Sequence, residues 1–225
     1  KNTVNNAPYG SAFGGKNDVG SASFTALRSS AFGYKNLIGQ TTNSDKSSAI
    51  GYFNTCTAND TSAIGYKNVA SSNYASALGF YNTASGQASS AVGHFNTSSG
   101  QESLACGRAN TSSAYLSTAV GVGNAASNTG SNAIGRGNIA SNTKASAIGY
   151  INTASAINTS AIGYRNTASG SKSSSLGYNN SATATATNAF GWKNMVNNAY
   201  ASAFGGKNTV GSTSFAGTRA SAFGY

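Results

Sequence analysis

Residues 62–82 read Ser62-Ala63-Ile64-Gly65-Tyr66-Lys67-Asn68, then Val69-Ala70-Ser71-Ser72-Asn73-Tyr74-Ala75, then Ser76-Ala77-Leu78-Gly79-Phe80-Tyr81-Asn82. The first and third heptapeptides are one motif, Ser-Ala-apolar-Gly-aromatic-x-Asn, set 14 positions apart. Outward from this pair the motif returns with its glycine at Gly14, Gly33, Gly51, Gly93, Gly107, Gly121, Gly135, Gly149, Gly163, Gly177, Gly191, Gly205 and Gly224. Every spacing from Gly51 to Gly205 is 14; the outer spacings are 19 and 18 at the start and 19 at the end. A unit this short cannot bury an apolar face alone, so stacked copies must share one continuous core.

A helix is excluded, because glycine interrupts every copy and no 3.6-residue period is sustained. Fourteen extended residues span roughly 46 Å at ~3.3 Å each, which leaves two strands of about four or five residues after two turns. The pattern predicts an all-β parallel β-solenoid of ~14-residue coils stacked ~4.8 Å apart. About 15 coils fill residues 1–225 as one array. A longer repeat is nested over it. Ser11-Ala-Phe-Gly-Gly-Lys-Asn17 returns as Ser202-Ala-Phe-Gly-Gly-Lys-Asn208, 191 positions on. The sequence therefore reads as a window of a longer tandem-repeat fibre.

Each column of the repeat has a physical reading. The residue before the glycine is bulky and apolar, as in Phe13, Phe32, Ile50, Ile64, Leu78, Ile148 and Phe223. The residue five after it is small or β-branched, as in Val19, Ile38, Cys56, Ala70, Ala84 and Val196. These two columns are expected to form the core. Four coils pair Phe in the first with Val or Ile in the second (Phe13/Val19, Phe32/Ile38, Phe190/Val196, Phe204/Val210), which suggests one shared interior. The Asn column (Asn54, Asn68, Asn82, Asn96, Asn110, Asn124, Asn138, Asn152 and Asn166) is expected as a structural ladder at a turn. Asn tolerates left-handed backbone, and stacked amides can bond from coil to coil. The glycine implies special backbone angles or a close backbone neighbour. Ala two before it, kept in 14 of 15 copies, suggests tight packing against another chain or layer.

The composition narrows the function. Charged residues are 8%, and the net charge is +10. That charge favours anionic partners, but no Lys/Arg block marks a nucleic-acid patch. No apolar run approaches the ~18 residues of a membrane span. The single His94 lacks triad or metal partners, and the four carboxylates are scattered, so neither catalysis, a cofactor nor a metal is expected. Cys56 and Cys106 lie about four coils, or roughly 19 Å, apart and should be unpaired, buried thiols. The candidate binding surface is the pair of columns after the glycine. Its cations are Lys16, Lys35, Lys67, Arg108, Arg136, Arg165, Lys193 and Lys207, set among Tyr, Phe and Trp. Aromatics mixed with cations could bind a glycan or an acidic surface polymer; alternatively the rings pack between chains. Thr55, Thr83, Thr97, Thr111, Thr153, Thr167 and Thr209 form a broken Thr column.

The repeated Ser-Ala-Ile-Gly at a 14-residue period resembles the head repeats of trimeric autotransporter adhesins, and is similar to repeats in phage and viral fibre shafts. The likeness runs from Ser11 to Tyr225, although Ser48, Ser62 and Ser76 stand where the adhesin motif favours Val. It implies a left-handed parallel β-roll, assembled as a homotrimer. It also implies a structural and adhesive segment of an extracellular fibre, on a cell or virion surface, attaching to a host-surface or matrix polymer. A viral or phage fibre shaft and an ice-binding solenoid are the alternatives. No residue role transfers with the likeness.

Overall fold

The computed structural model describes residues 1–211 and 219–224. The second nineteen-residue coil runs through residues that fall partly outside this set, as does Tyr225. The chain divides into two compact units, Lys1–Tyr115 and Leu116–Tyr225. Each is built the same way. A longer strand ends one residue after the motif glycine, and a two-residue strand follows the Asn.

In the first unit the longer strands run from Ser11–Gly15 to Leu104–Arg108 and the short ones from Thr3–Val4 to Thr111–Ser112. In the second they run from Thr118–Val122 to Ser221–Gly224 and from Ala125–Ala126 to Thr209–Val210. Each set forms its own parallel sheet. Pairing puts like on like: Ser62, Ala63, Ile64, Gly65 and Tyr66 face Ser76, Ala77, Leu78, Gly79 and Phe80. Together the units hold about fifteen coils of a parallel β-solenoid, with no helix among the described residues.

The core differs from the sequence expectation. Its long-strand wall is the Ala column (Ala49, Ala63, Ala77, Ala91), fully buried against Cys56, Ala70 and Ala84 of the short strands. In the second unit Ala133, Ala147 and Ala161 meet Ala140, Ala154 and Ala168. A third buried column, Ser47, Thr61, Ala75 and Ser89, lies just before the long strand. The bulky column expected inside is outside: Phe13 is 61% exposed, Phe32 60% and Leu176 44%. Successive strand residues point to opposite faces, so Ala63 inside forces Ile64 outside. This Ala, kept in 14 of 15 copies, is thus the position limited by size, and the layer it packs against is the short-strand sheet of its own chain. The Phe/Val covariation has no shared interior behind it. Val19, Ile38 and Val196 fill the core, while Phe13 and Phe32 meet each other on the outer face with ring centroids 5.8 Å apart.

Buried amides join the coils. Asn82 Nδ2 donates to Asn68 Oδ1 at 3.1 Å, to the Leu78 carbonyl at 2.8 Å and to the Gly93 carbonyl of the next coil at 2.7 Å. The same Asn68 Oδ1 accepts the Asn82 backbone N–H at 3.0 Å. Asn152 repeats the set on Asn138, Ile148 and Gly163. The left-handed residue of the turn is the one before the Asn, not the Asn itself: Lys67, Tyr81 and even β-branched Ile151 have φ near +50°. The glycine column is set by crowding. At Gly149, with φ +117°, an added Cβ would lie 2.2 Å from the Gly163 carbonyl oxygen.

Three substitutions measured by chemical denaturation check this account. Asn82→Ala strands a buried N–H of Asn96 and two carbonyls, and should cost about 2–4 kcal/mol. Ser175, the exception in the Ala column, is buried with an Oγ that has no partner, so Ser175→Ala should gain about 1 kcal/mol. Ile151→Gly relieves the left-handed backbone and should gain about 1 kcal/mol. Losses at the last two positions would contradict the burial and strain assigned to them.

Candidate functional site

The two columns after the glycine sit at the turn from long to short strand. In the first unit Tyr34, Tyr52, Tyr66 and Phe80 stack one per coil, with centroids 5.3, 5.4 and 5.0 Å apart and planes within 13°. His94 continues the column at 4.9 Å from Phe80. In the second unit Tyr150, Tyr164 and Tyr178 stack at 5.1 and 5.0 Å. Parallel, in-register pairing compels this, because each coil places its ring ~4.8 Å above the last. Ring faces inside the column are covered by neighbouring rings, so the exposed parts are edges and phenol groups.

The cations of the same turn lie against these rings. Lys16 Nζ is 5.8 Å from the Tyr34 centroid, and Lys35 Nζ is 4.6 Å from that of Phe53. Lys67 Nζ lies 4.9 Å from the Tyr81 centroid and donates to Tyr81 Oη at 2.6 Å. That hydrogen bond, opposed by desolvation, holds the Lys67 ammonium above the usual lysine range. In the second unit Arg136 lies over Tyr150, Arg165 over Tyr164, and both Lys193 and Lys207 over Trp192, at 4.7 to 5.5 Å. Arg108 is exposed at the turn of the first unit. Within each unit the structure therefore gathers its share of the eight candidate cations on one turn edge. Such pairs hold a cation in place without cancelling its charge.

The outer apolar column is the surface feature that the sequence reading misplaced. It is half-exposed along both units, flanked by the Ser column, with a shallow groove between Ile162, Leu176 and Phe190 and the residues Ser160 and Ser174. The signal was present: Ala is kept while its neighbour varies freely among Phe, Ile, Leu, Val and Cys. Cys106 belongs to this column and is only half-buried, whereas Cys56 is buried; both are free. The Thr column points outward on the short strands, in register through Thr83, Thr97 and Thr111. Val69 interrupts it below, so this run is three rungs, or about 10 Å, tall. Among the described residues no three His, Cys, Asp or Glu side chains could jointly hold a metal ion, and no helix is long and apolar enough to cross a membrane.

A family model of the YadA head domain repeat, in two copies, matches residues 57–82, 84–108, 140–166 and 154–180. Over these segments the chain is similar to the YadA head domain repeat. Each matched segment spans two of the motif glycines, such as Gly65 with Gly79 and Gly149 with Gly163. The matched element is thus two coils of the 14-residue repeat, and it falls in both units. Repeats of this family build the heads of surface-exposed trimeric adhesins. No curated protein matches the chain significantly.

Burial raises the Cys56 thiol from 9.0 to about 11, against smaller opposing hydrogen bonds from Thr61 and Ala63. The folded value lies above the unfolded one. The stabilisation is therefore fully present below pH 9 and is lost as pH rises from 9 to 11. Across that window the denaturation midpoint should fall more for the wild type than for Cys56→Ala; equal falls would mean that Cys56 is not buried.

Proposed function

We propose that this chain is a structural and adhesive segment of an extracellular homotrimeric fibre, and that the outer apolar column is the face by which three chains associate. The observation that carries the reading is the column's exposure. Phe13, Phe32, Ile50, Ile64 and their successors form a stripe along each unit that a single chain leaves in water. A contiguous apolar stripe on a soluble chain marks an interaction surface. Its coverage also meets an energetic need. The Ala-lined interior buries little area per coil, while ordering each residue costs about 1–2 kcal/mol. Three stripes meeting on an axis would bury the large side chains that the coil cannot hold.

The trimeric build of YadA-type heads supports the same arrangement. The whole length would then be one array cut from a longer tandem repeat, with its turn edges facing outward. Identical copies of a weak contact, three chains wide, would give avidity without strong single sites.

Light scattering on the native protein should give about 67 kDa, three chains of 22.4 kDa. Ile162→Lys with Leu176→Lys should lower that mass, whereas Ile139→Lys, on the short-strand side, should not. Cys106 should resist alkylation in the assembly and react once it dissociates, with Cys56 silent until unfolding. A stable 22.4 kDa monomer with a reactive Cys106 would overturn the proposal.

A further inference from the structure

In the first unit the two turns of the coil differ in charge; in the second both are cationic, with Lys144 and Lys172 on the turn opposite Arg136, Arg165, Lys193 and Lys207. Asp18, Asp45, Asp60 and Glu102 are the acids of the chain, and none falls in the two columns after the glycine. Three of them occupy the opposite turn region, where Lys46 pairs with Asp60 at 4.0 Å. All four lie in the first unit, so residues 116–225 contain no carboxylate side chain. We propose that the cationic turn edge of the second unit binds an extended acidic polysaccharide. This names the ligand class for the attachment half of the fibre reading and rests on it.

Three observations select this class. The first is spacing. Arg136, Arg165 and Lys193 stand on the Gly135, Gly163 and Gly191 rungs, with one uncharged rung between each pair. Alternate rungs recur at about 10 Å, which suits an extended polymer carrying one carboxylate or sulfate per disaccharide. Lys207 adds a charge on the adjoining rung. The second is fixation. Each cation lies over a ring of Tyr150, Tyr164 or Trp192, so less side-chain freedom is lost on binding. The third is the covering of ring faces. Tyr164 and Tyr178 lie parallel to within 2° at 5.0 Å. Single-stranded nucleic acid needs open aromatic faces on which bases stack, and a neutral glycan gains nothing from the cations. Charged groups meeting the Arg and Lys, with sugar hydroxyls meeting the phenol edges, are what this surface accommodates.

The test is fluorescence anisotropy with labelled hyaluronan and chondroitin sulfate, using the full chain at physiological salt. Neutral dextran and a single-stranded oligonucleotide serve as comparisons. The edge variant combines Arg136→Gln, Arg165→Gln, Lys193→Gln and Lys207→Gln. A charge-matched control combines Arg28→Gln, Lys46→Gln, Lys144→Gln and Lys172→Gln at the opposite turn. The acidic polysaccharides should bind, dextran should not, and the edge variant should lose about ten-fold or more in affinity and flatten the salt dependence. The control should lose about two-fold or less. Equal losses in both variants would reduce the effect to net charge and overturn the proposal. So would tighter binding of the oligonucleotide, or no binding by the wild type. Light scattering on both variants separates the two proposals: an unchanged assembly mass with lost binding concerns this edge alone, and a changed mass in the wild type concerns the trimer alone.

Discussion

One buried amide per coil holds the structure in register. Each Asn takes the oxygen of the Asn before it and gives its N–H groups to a carbonyl of its own coil and to the glycine carbonyl of the next. Inside a low-dielectric interior such a chain of bonds is strong when complete and costly when broken. It also fixes geometry, since the amide reaches both neighbours only if every coil begins its turn at the same height. The crowded glycine follows from this. Its φ near +117° is open to glycine, and the next coil's carbonyl fills the place of a side chain.

A coil closed so tightly has a narrow interior. Ala, Ser, Thr and Asn fill it, and Val19, Ile38 and Val196 are the largest aliphatic groups fully buried there. The large apolar residues of the long strand are consequently turned outward. In most domains exposing such a stripe would be a fault of packing. Here it is the necessary other side of a strand whose inner face admits only small groups, and it converts a weakly cored coil into one suited to association.

In-register stacking also turns columns of sequence into linear arrays. One residue type per coil becomes a file of rings, of cations or of apolar groups at the rise of a parallel sheet. The aromatic and cationic files follow the apolar file two and three residues further along each coil, as Tyr66 and Lys67 follow Ile64. The segregation of acids away from the cationic turn gives that edge its single sign.

Much of this was legible in the sequence. The 14-residue period determined a parallel solenoid with like residues paired, and the Asn column announced a ladder, because a period and an invariant polar residue survive any choice of face. The eight cations could be assigned to one turn by counting from the glycine. What counting could not supply was the side of the strand. Alternation says that Ala63 and Ile64 point opposite ways, not which of them points inward. The hydrophobic effect favours burying the larger residue, which is why the bulky column is the expected core. The tertiary structure decided otherwise: the Ala of the long strand faces the short strands, and the larger buried groups, Val19, Ile38 and Val196, come from the short strands. The ring faces were likewise settled only in three dimensions. One Tyr per coil says only that the rings share a column; the structure shows that parallel stacking closes their faces on one another.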